Sequence, residues 1–372
     1  MKKFFFLWAL ATMVLGAHAE ATIGYLMTMV DKDAFPAENF EGVDEKPEYN
    51  AAAWFETNYI NTGKGRYVTI PEVAMGGWEA LQSLKAIWVN VDRMDLADLE
   101  AAGIDADVVA GLTDYVKNGG NLFVTKQANM IIYQMGRMGY APGWANGGYH
   151  VGGDVWQINP NLCLWPPMGG AIDRSNHPIY NGLTTETRTF DYTYEGDTVA
   201  TQVPFEVFPL VGAVSRTDNN NMWTDMFRKD PVTGGQMEAL EGTTHYQNDN
   251  ALRLTDFEQD WNCQVLSVWG HVLDACAPGL IVFNPEGEFK GQIISCGFAA
   301  YQWGTSNNYI SNIQKLSANA LAILIGTVST DVENVNTTNV VKGVYNLLGQ
   351  KVARENMVRG TIYIVDGKKV IY

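Results

Sequence analysis

Cysteine pairs of the metal-binding kind are missing from this chain. Cys163, Cys263, Cys276 and Cys296 are widely spaced and form no Cys-x-x-Cys unit, which excludes a zinc-ribbon type of site. Cys263 and Cys276 are the nearest pair and could bridge in an oxidising compartment. Cys296, inside GQIISCGFAAY, reads as a small core residue, and buried free thiols are favoured over bridges. Basic residues are also scarce, 25 Lys and Arg against 41 Asp and Glu, for a net charge of −16. Such a surface repels phosphate backbones and anionic headgroups, so nucleic acid and membrane-surface partners are disfavoured. His150, His245 and His271 stand singly, and the run Asp218 to Asn221 with Asp225 lacks the spacing and glycine of a calcium loop. No metal and no cofactor is expected.

What is present first is an address. Lys2 and Lys3, an apolar run from Phe4 to Leu15, and Ala17-His18-Ala19 have the three-part form of an export signal over residues 1–19. The apolar run is shorter than the roughly 20 residues a bilayer span needs, so no membrane insertion is expected after its removal. Cleavage takes away two lysines and no acid, leaving 23 basic against 41 acidic residues, or −18. The expected location is the cell surface or outside it, with the periplasm as an alternative. The remaining chain, 47% hydrophobic, is rich enough in apolar residues to bury one large core.

Strand and helix patterns alternate through the first half. Strands are predicted over 21–29, 66–70, 86–91 and 121–125. Helices are predicted from Asn50 as N-cap, over 77–84 and over 107–118, the last with Val108, Val109, Leu112, Tyr115 and Val116 on one face and Gly119-Gly120 as its stop. Residues 136–260 are rich in glycine, asparagine, proline and aromatics, and read as long loops with a few short strands. Strands return over 264–269, 279–283 and 291–298, before a helix over 308–325. The pattern predicts an α/β domain over 20–326 with a parallel sheet and helices on both faces. A polar linker, 327–339, leads to an all-β module over 340–372, where Asp366-Gly367 between TIYIV and KKVIY signals a hairpin.

The segments WVNVDR (88–93), LTDYVKNGGNLFVTKQA (112–128) and SNHPIYNGL (175–183) resemble the class I glutamine amidotransferase-like fold in its secreted ThuA-like branch. The order IWVNVDR, YVKNGGNLFV, CGFAAYQWG is most similar to a domain of unknown function (number 4960) of exported gut-bacterial proteins, some associated with glycan-utilisation loci. The resemblance covers about residues 21–326 and implies a flavodoxin-like or glutamine amidotransferase-like sheet. In that fold a cysteine on the strand–turn–helix elbow is activated by a histidine and a carboxylate. Here the elbow positions are Lys126, Gln127 and Ala128, and the chain beyond the signal holds no His-x-Glu pair. Thiol-dependent amidotransfer is therefore not expected. VYNLLGQKV (344–352) and GTIYIVDGKKVIY (360–372) resemble the C-terminal sorting domain of type IX secretion.

Ligands of open parallel sheets bind beyond the carboxyl ends of the strands. The residues there are Asp92 and Arg93, Lys126 and Gln127, and Tyr301, Gln302 and Trp303. Trp144, Trp156, Trp165 and Trp223 fall in glycine- or asparagine-rich loops, where indoles can stack on sugar faces while amides and carboxylates bond the hydroxyls. The expected function is non-catalytic recognition of an oligosaccharide or polysaccharide, alongside other surface glycan-utilisation proteins. One alternative is a hydrolase working through a metal and His271, Asp274 or His177. Another is a structural role in a surface assembly.

Overall fold

Five apolar segments build the parallel half of a ten-stranded sheet: Ile23–Met27 (β1), Gly65–Thr69 (β2), Ala86–Val91 (β3), Asn121–Lys126 (β4) and, far along the chain, Ile293–Cys296 (β10). β1 and β3 are buried along their whole length, as strands must be when helices cover both faces. The computed structural model describes residues 21–40, 43–92, 99–145, 156–162, 172–194, 197–211, 220–223, 226–239, 250–269, 278–298, 303–305, 307–328, 344–345, 351–353, 362–365 and 368–371. The parallel strands lie in the order β2-β1-β3-β4-β10. That order makes the half-sheet flavodoxin-like.

Beyond β10 the sheet continues antiparallel. Trp156–Asn159 (β5), Glu186–Tyr194 (β6), Asp197–Val211 (β7), Cys263–Trp269 (β8) and Pro278–Phe283 (β9) extend it in the order β10-β9-β8-β5-β7-β6. The segment expected to be mostly loop thus supplies three strands of the main sheet. Its alternation, TRTFDYTY over 187–194, is the period-two signature of a strand, masked by the glycine and asparagine around it.

One face of the sheet is covered by Pro47–Phe55 (α1) and Ile310–Leu324 (α6), which bury Ala51, Ala52, Phe55, Ile313, Leu316 and Ala320. Ile70–Leu81 (α2), Ala106–Lys117 (α3), Met130–Gln134 (α4) and Asn250–Asp260 (α5) cover the other. Two helix starts differ from expectation. α1 begins at Pro47, whose ring suits the first turn, and Asn50 lies inside it, donating its amide to the Trp303 carbonyl at 2.8 Å. α2 begins seven residues before Gly77, because Thr69 and Glu72 close a reciprocal capping box. At Gly77 the helix kinks, with φ +46°, and the Asp114 carboxylate re-caps it by accepting from the Trp78 amide at 2.8 Å. α3 packs so close that a Cβ on Gly111 would stand 2.1 Å from the Val73 carbonyl oxygen.

The chain divides into two compact units, Met1–Val328 and Ser329–Tyr372. The second is a four-stranded antiparallel sheet in which Ile362–Val365 pairs with Lys368–Ile371 and Val365 faces Lys368, the register a two-residue Asp-Gly hairpin requires. Cys263 and Cys296 are free and buried.

Candidate functional site

The carboxyl ends of β3 and β4 carry a buried polar cluster. Asn90 and Thr125 are neighbours across the two strands. The Thr125 hydroxyl donates to Asn90 Oδ1 at 2.6 Å and accepts from Trp88 Nε1 at 3.1 Å. One residue past β3, the Asp92 amide donates to Glu48 Oε1 of α1 at 2.9 Å. At the end of β4, Lys126 Nζ lies 3.5 Å from Asp92 Oδ1, longer than the roughly 2.7–2.9 Å of a tight charge-assisted bond. Gln127 and Asn129 follow in the turn, and all of Asp92, Lys126, Gln127 and Asn129 are at most 1% exposed.

Lys126 also carries backbone strain. Its φ of +57° with ψ of −126° falls where side-chained residues rarely go, at a cost of about 1–3 kcal/mol. Among the described residues the other such non-glycine is Asn262, a type that tolerates positive φ. Strand, strained residue and helical turn follow one another here as in a nucleophile elbow, which raises a reactive side chain above a sheet. In this chain the residue at that position is Lys126, whose side chain is buried. The neighbouring thiol offers no substitute: burial pushes Cys296 up to about 12, against the opposing pull of the Phe298 amide and of Lys126. Burial, then the Glu48 carboxylate, holds the Tyr25 phenol well above its ordinary value, so it stays protonated beside the cluster.

Of the residues expected at the strand exits, Asp92, Lys126 and Gln127 come together. Arg93, Tyr301 and Gln302 lie outside the described residues. Among the described residues, Trp223 and Trp303 do not share a platform. Trp303 is buried, with its ring centroid 5.2 Å from Trp54 and 5.6 Å from Trp88. Trp223, expected in an exposed loop, is also buried: Nε1 donates to the Tyr140 carbonyl at 3.2 Å and the ring meets Phe283 edge-on. These two indoles pack on opposite faces of the sheet. Trp144 sits opposite Asn221 in a short strand pair and Trp156 opens β5; their side chains, and Trp165 altogether, lie outside the described residues.

No family model matches the chain, and no curated protein does. Solved structures do overlap it. A ThuA-like protein from Bacteroides uniformis ATCC 8492 shares 10% identity, covering 82% of this chain and 91% of its own, with a TM-score of 0.40. The cytoplasmic protein STM3548 from Salmonella typhimurium shares 11% identity over 81% of this chain and 98% of its own, at 0.38. A ThuA-like protein from Parabacteroides merdae ATCC 43184 shares 11% over 83% and 92%, at 0.34.

Glu48, Asn90, Thr125 and Asn129 join the cluster in addition to the residues expected there. Asn90 and Thr125 left a signal, as polar residues inside the runs AIWVNV and NLFVTK; Glu48 left none. His150, His245, His271 and Asp274 lie outside the described residues. Among the described residues no group of three or more His, Cys, Asp or Glu side chains is placed to hold a metal.

His177, a candidate for the hydrolase alternative, caps a turn: its Nδ1 accepts from the Ile179 amide at 3.2 Å. Burial first, then the Arg174 guanidinium, lowers it to about 4. The folded chain therefore binds fewer protons than the unfolded one between pH 4 and about 6.5. This stability is complete above pH 6.5 and is lost as pH falls through that window, by an amount on the order of 3 kcal/mol. His177→Asn keeps an acceptor for the Ile179 amide, and urea unfolding across this range is expected to show a flatter pH slope. An unchanged slope would assign the titration to another group.

Proposed function

We propose that this is an exported, non-catalytic protein that holds a carbohydrate in the crevice beyond the carboxyl ends of β1, β3, β4 and β10, in a glycan-utilisation setting. The observation that carries the reading is the strained turn at Lys126 set beside Asp92, Gln127 and Asn129. Strain of this kind persists where a site is pre-organised, and amide, carboxylate and ammonium groups at the exits of a flavodoxin-like sheet suit a hydroxyl-rich ligand. Recognition on this reading rests on hydrogen bonding in the crevice, without Trp223 and Trp303 as a stacking surface. Titration calorimetry against neutral and acidic oligosaccharides and their alditols tests it. Saturable binding weakened about tenfold or more by Gln127→Met is the expected result, a loss near 1.4 kcal/mol. Absence of binding to every member at millimolar concentration would refute it.

A further inference from the structure

We infer that the side chains of Lys126 and Asp92 join in an amide bond, a covalent staple across the carboxyl ends of β3 and β4. This goes beyond the carbohydrate reading and does not depend on it. Both reacting groups belong to the chain, so nothing has to reach them from outside. The parallel register sets Lys126 opposite Val91, and Asp92 follows on the adjacent strand. Nζ lies 3.5 Å from Asp92 Oδ1, an atom bonded to the carbon that would be attacked. Proximity of this order replaces a bimolecular encounter with a unimolecular step.

Burial sets this pair apart. Its side chains are 2% and 0% exposed, whereas every other ion pair among the described residues has a partner at least 23% exposed. Two charges held out of water are costly, and burial favours their neutral forms, an amine and a carboxylic acid. Those are the forms that condense. The amide removes both charges, keeps one donor and one acceptor at the strand exits, and is shielded from hydrolysis by the same exclusion of water. Glu48 stands beside Asp92, accepting from its backbone amide at 2.9 Å, and offers a carboxylate to carry protons.

The step balances on these groups. The Lys126 ammonium passes one proton to the Asp92 carboxylate, and the neutral amine adds to Cγ, forming the C–N bond. Glu48 takes a second proton from the nitrogen and returns it to the tetrahedral centre. The C–O bond then breaks, and one carboxyl oxygen leaves with the two protons as water. Nothing is oxidised or reduced.

A tryptic map of the denatured, reduced full chain is the test. Linked, residues 86–93 and 118–137 emerge as one branched peptide, uncut at Lys126 and lighter by one water than its two parts. Unlinked, they emerge as the linear peptides 86–93, 118–126 and 127–137. The branched peptide is expected to predominate, and to vanish in Lys126→Arg, which keeps a cation beside Asp92 without the amine. Glu48→Gln keeps an acceptor for the Asp92 amide but cannot carry protons. It is expected to link roughly a hundredfold more slowly, read as linked fraction against time in cell-free synthesis. Linear peptides alone from the unaltered, folded chain overturn the inference and leave a plain ion pair, whether or not either variant folds. Linking of Glu48→Gln at the unaltered rate overturns the part assigned to Glu48.

Discussion

Arg137→Ala is expected to cost roughly 3–5 kcal/mol of stability, the range for removing one member of a buried ionic network. Arg137 follows α4 and is 3% exposed. Its guanidinium donates to the carbonyls of Trp261 at 3.0 Å, Asn262 at 3.1 Å and Asn284 at 2.9 Å, and pairs with Glu286 at 2.9 Å. It also lies over the Phe283 ring at 5.2 Å. Alanine would remove the guanidinium donors from the Trp261 and Asn284 carbonyls in a site where water has little access, leave the Asn262 carbonyl with the Asn284 amide at 3.0 Å, and leave Glu286 paired to Lys229 at 2.6 Å. Burial lowers the Arg137 pKa while Glu286 opposes it, yet a guanidinium remains charged throughout the physiological range. Because the bonds join the start of β8 to the end of β9, the loss should appear in the main cooperative transition. Urea unfolding by intrinsic fluorescence measures it, and a cost below about 1 kcal/mol would show that the carbonyls find other partners.

The second large effect concerns Lys126 and Asp92. Lys126→Met leaves a buried carboxylate beside Glu48, and Asp92→Leu leaves a buried ammonium, so each alone is expected to lose roughly 3–5 kcal/mol. Changing both removes the charges together, and the double variant should be no less stable than the worse single one. A double-mutant cycle in urea reads the coupling directly. Additive losses would mean that each charge is balanced by groups other than its partner.

The parallel half was legible because its inner strands are buried on both faces and run nearly apolar, as in AIWVNV and NLFVTK, whose Asn90, Thr125 and Lys126 mark the polar cluster. The amphipathic stripe of α3, with the Asp105 side chain accepting from the Asp107 and Val108 amides at 3.0 Å, is local information and was read within two residues. The antiparallel half was legible only in part: the strands expected over 264–269 and 279–283 are β8 and β9, while β5, β6 and β7 were hidden in the loop-like middle. β6 and β7 alternate polar with apolar residues amid Gly and Asn, and their pairing depends on partners far along the chain. α5 carries Leu254 and Phe257 inward, but the polar stretch TTHYQND before it masks its start. At the site, the strand-exit rule placed Asp92, Lys126 and Gln127 together. It could not reveal that Trp223 turns inward, since its hydrogen-bond partner, Tyr140, is 83 residues away. Nor could it reveal Glu48, which reaches Asp92 from 44 residues upstream.

The position of β10 has a consequence for biogenesis. β4 acquires its second neighbour only when residues 293–296 pair with residues 122–125, after some 170 further residues have been made. Until then β4 is an open edge, with a row of unpaired amides and carbonyls that other chains can add to. Lys126 ends that same strand, so the β3–β4 cluster is among the last parts of the main sheet to be completed. A chain interrupted before residue 293 would keep every residue of the β3–β4 cluster and still lack the strand that walls it on one side.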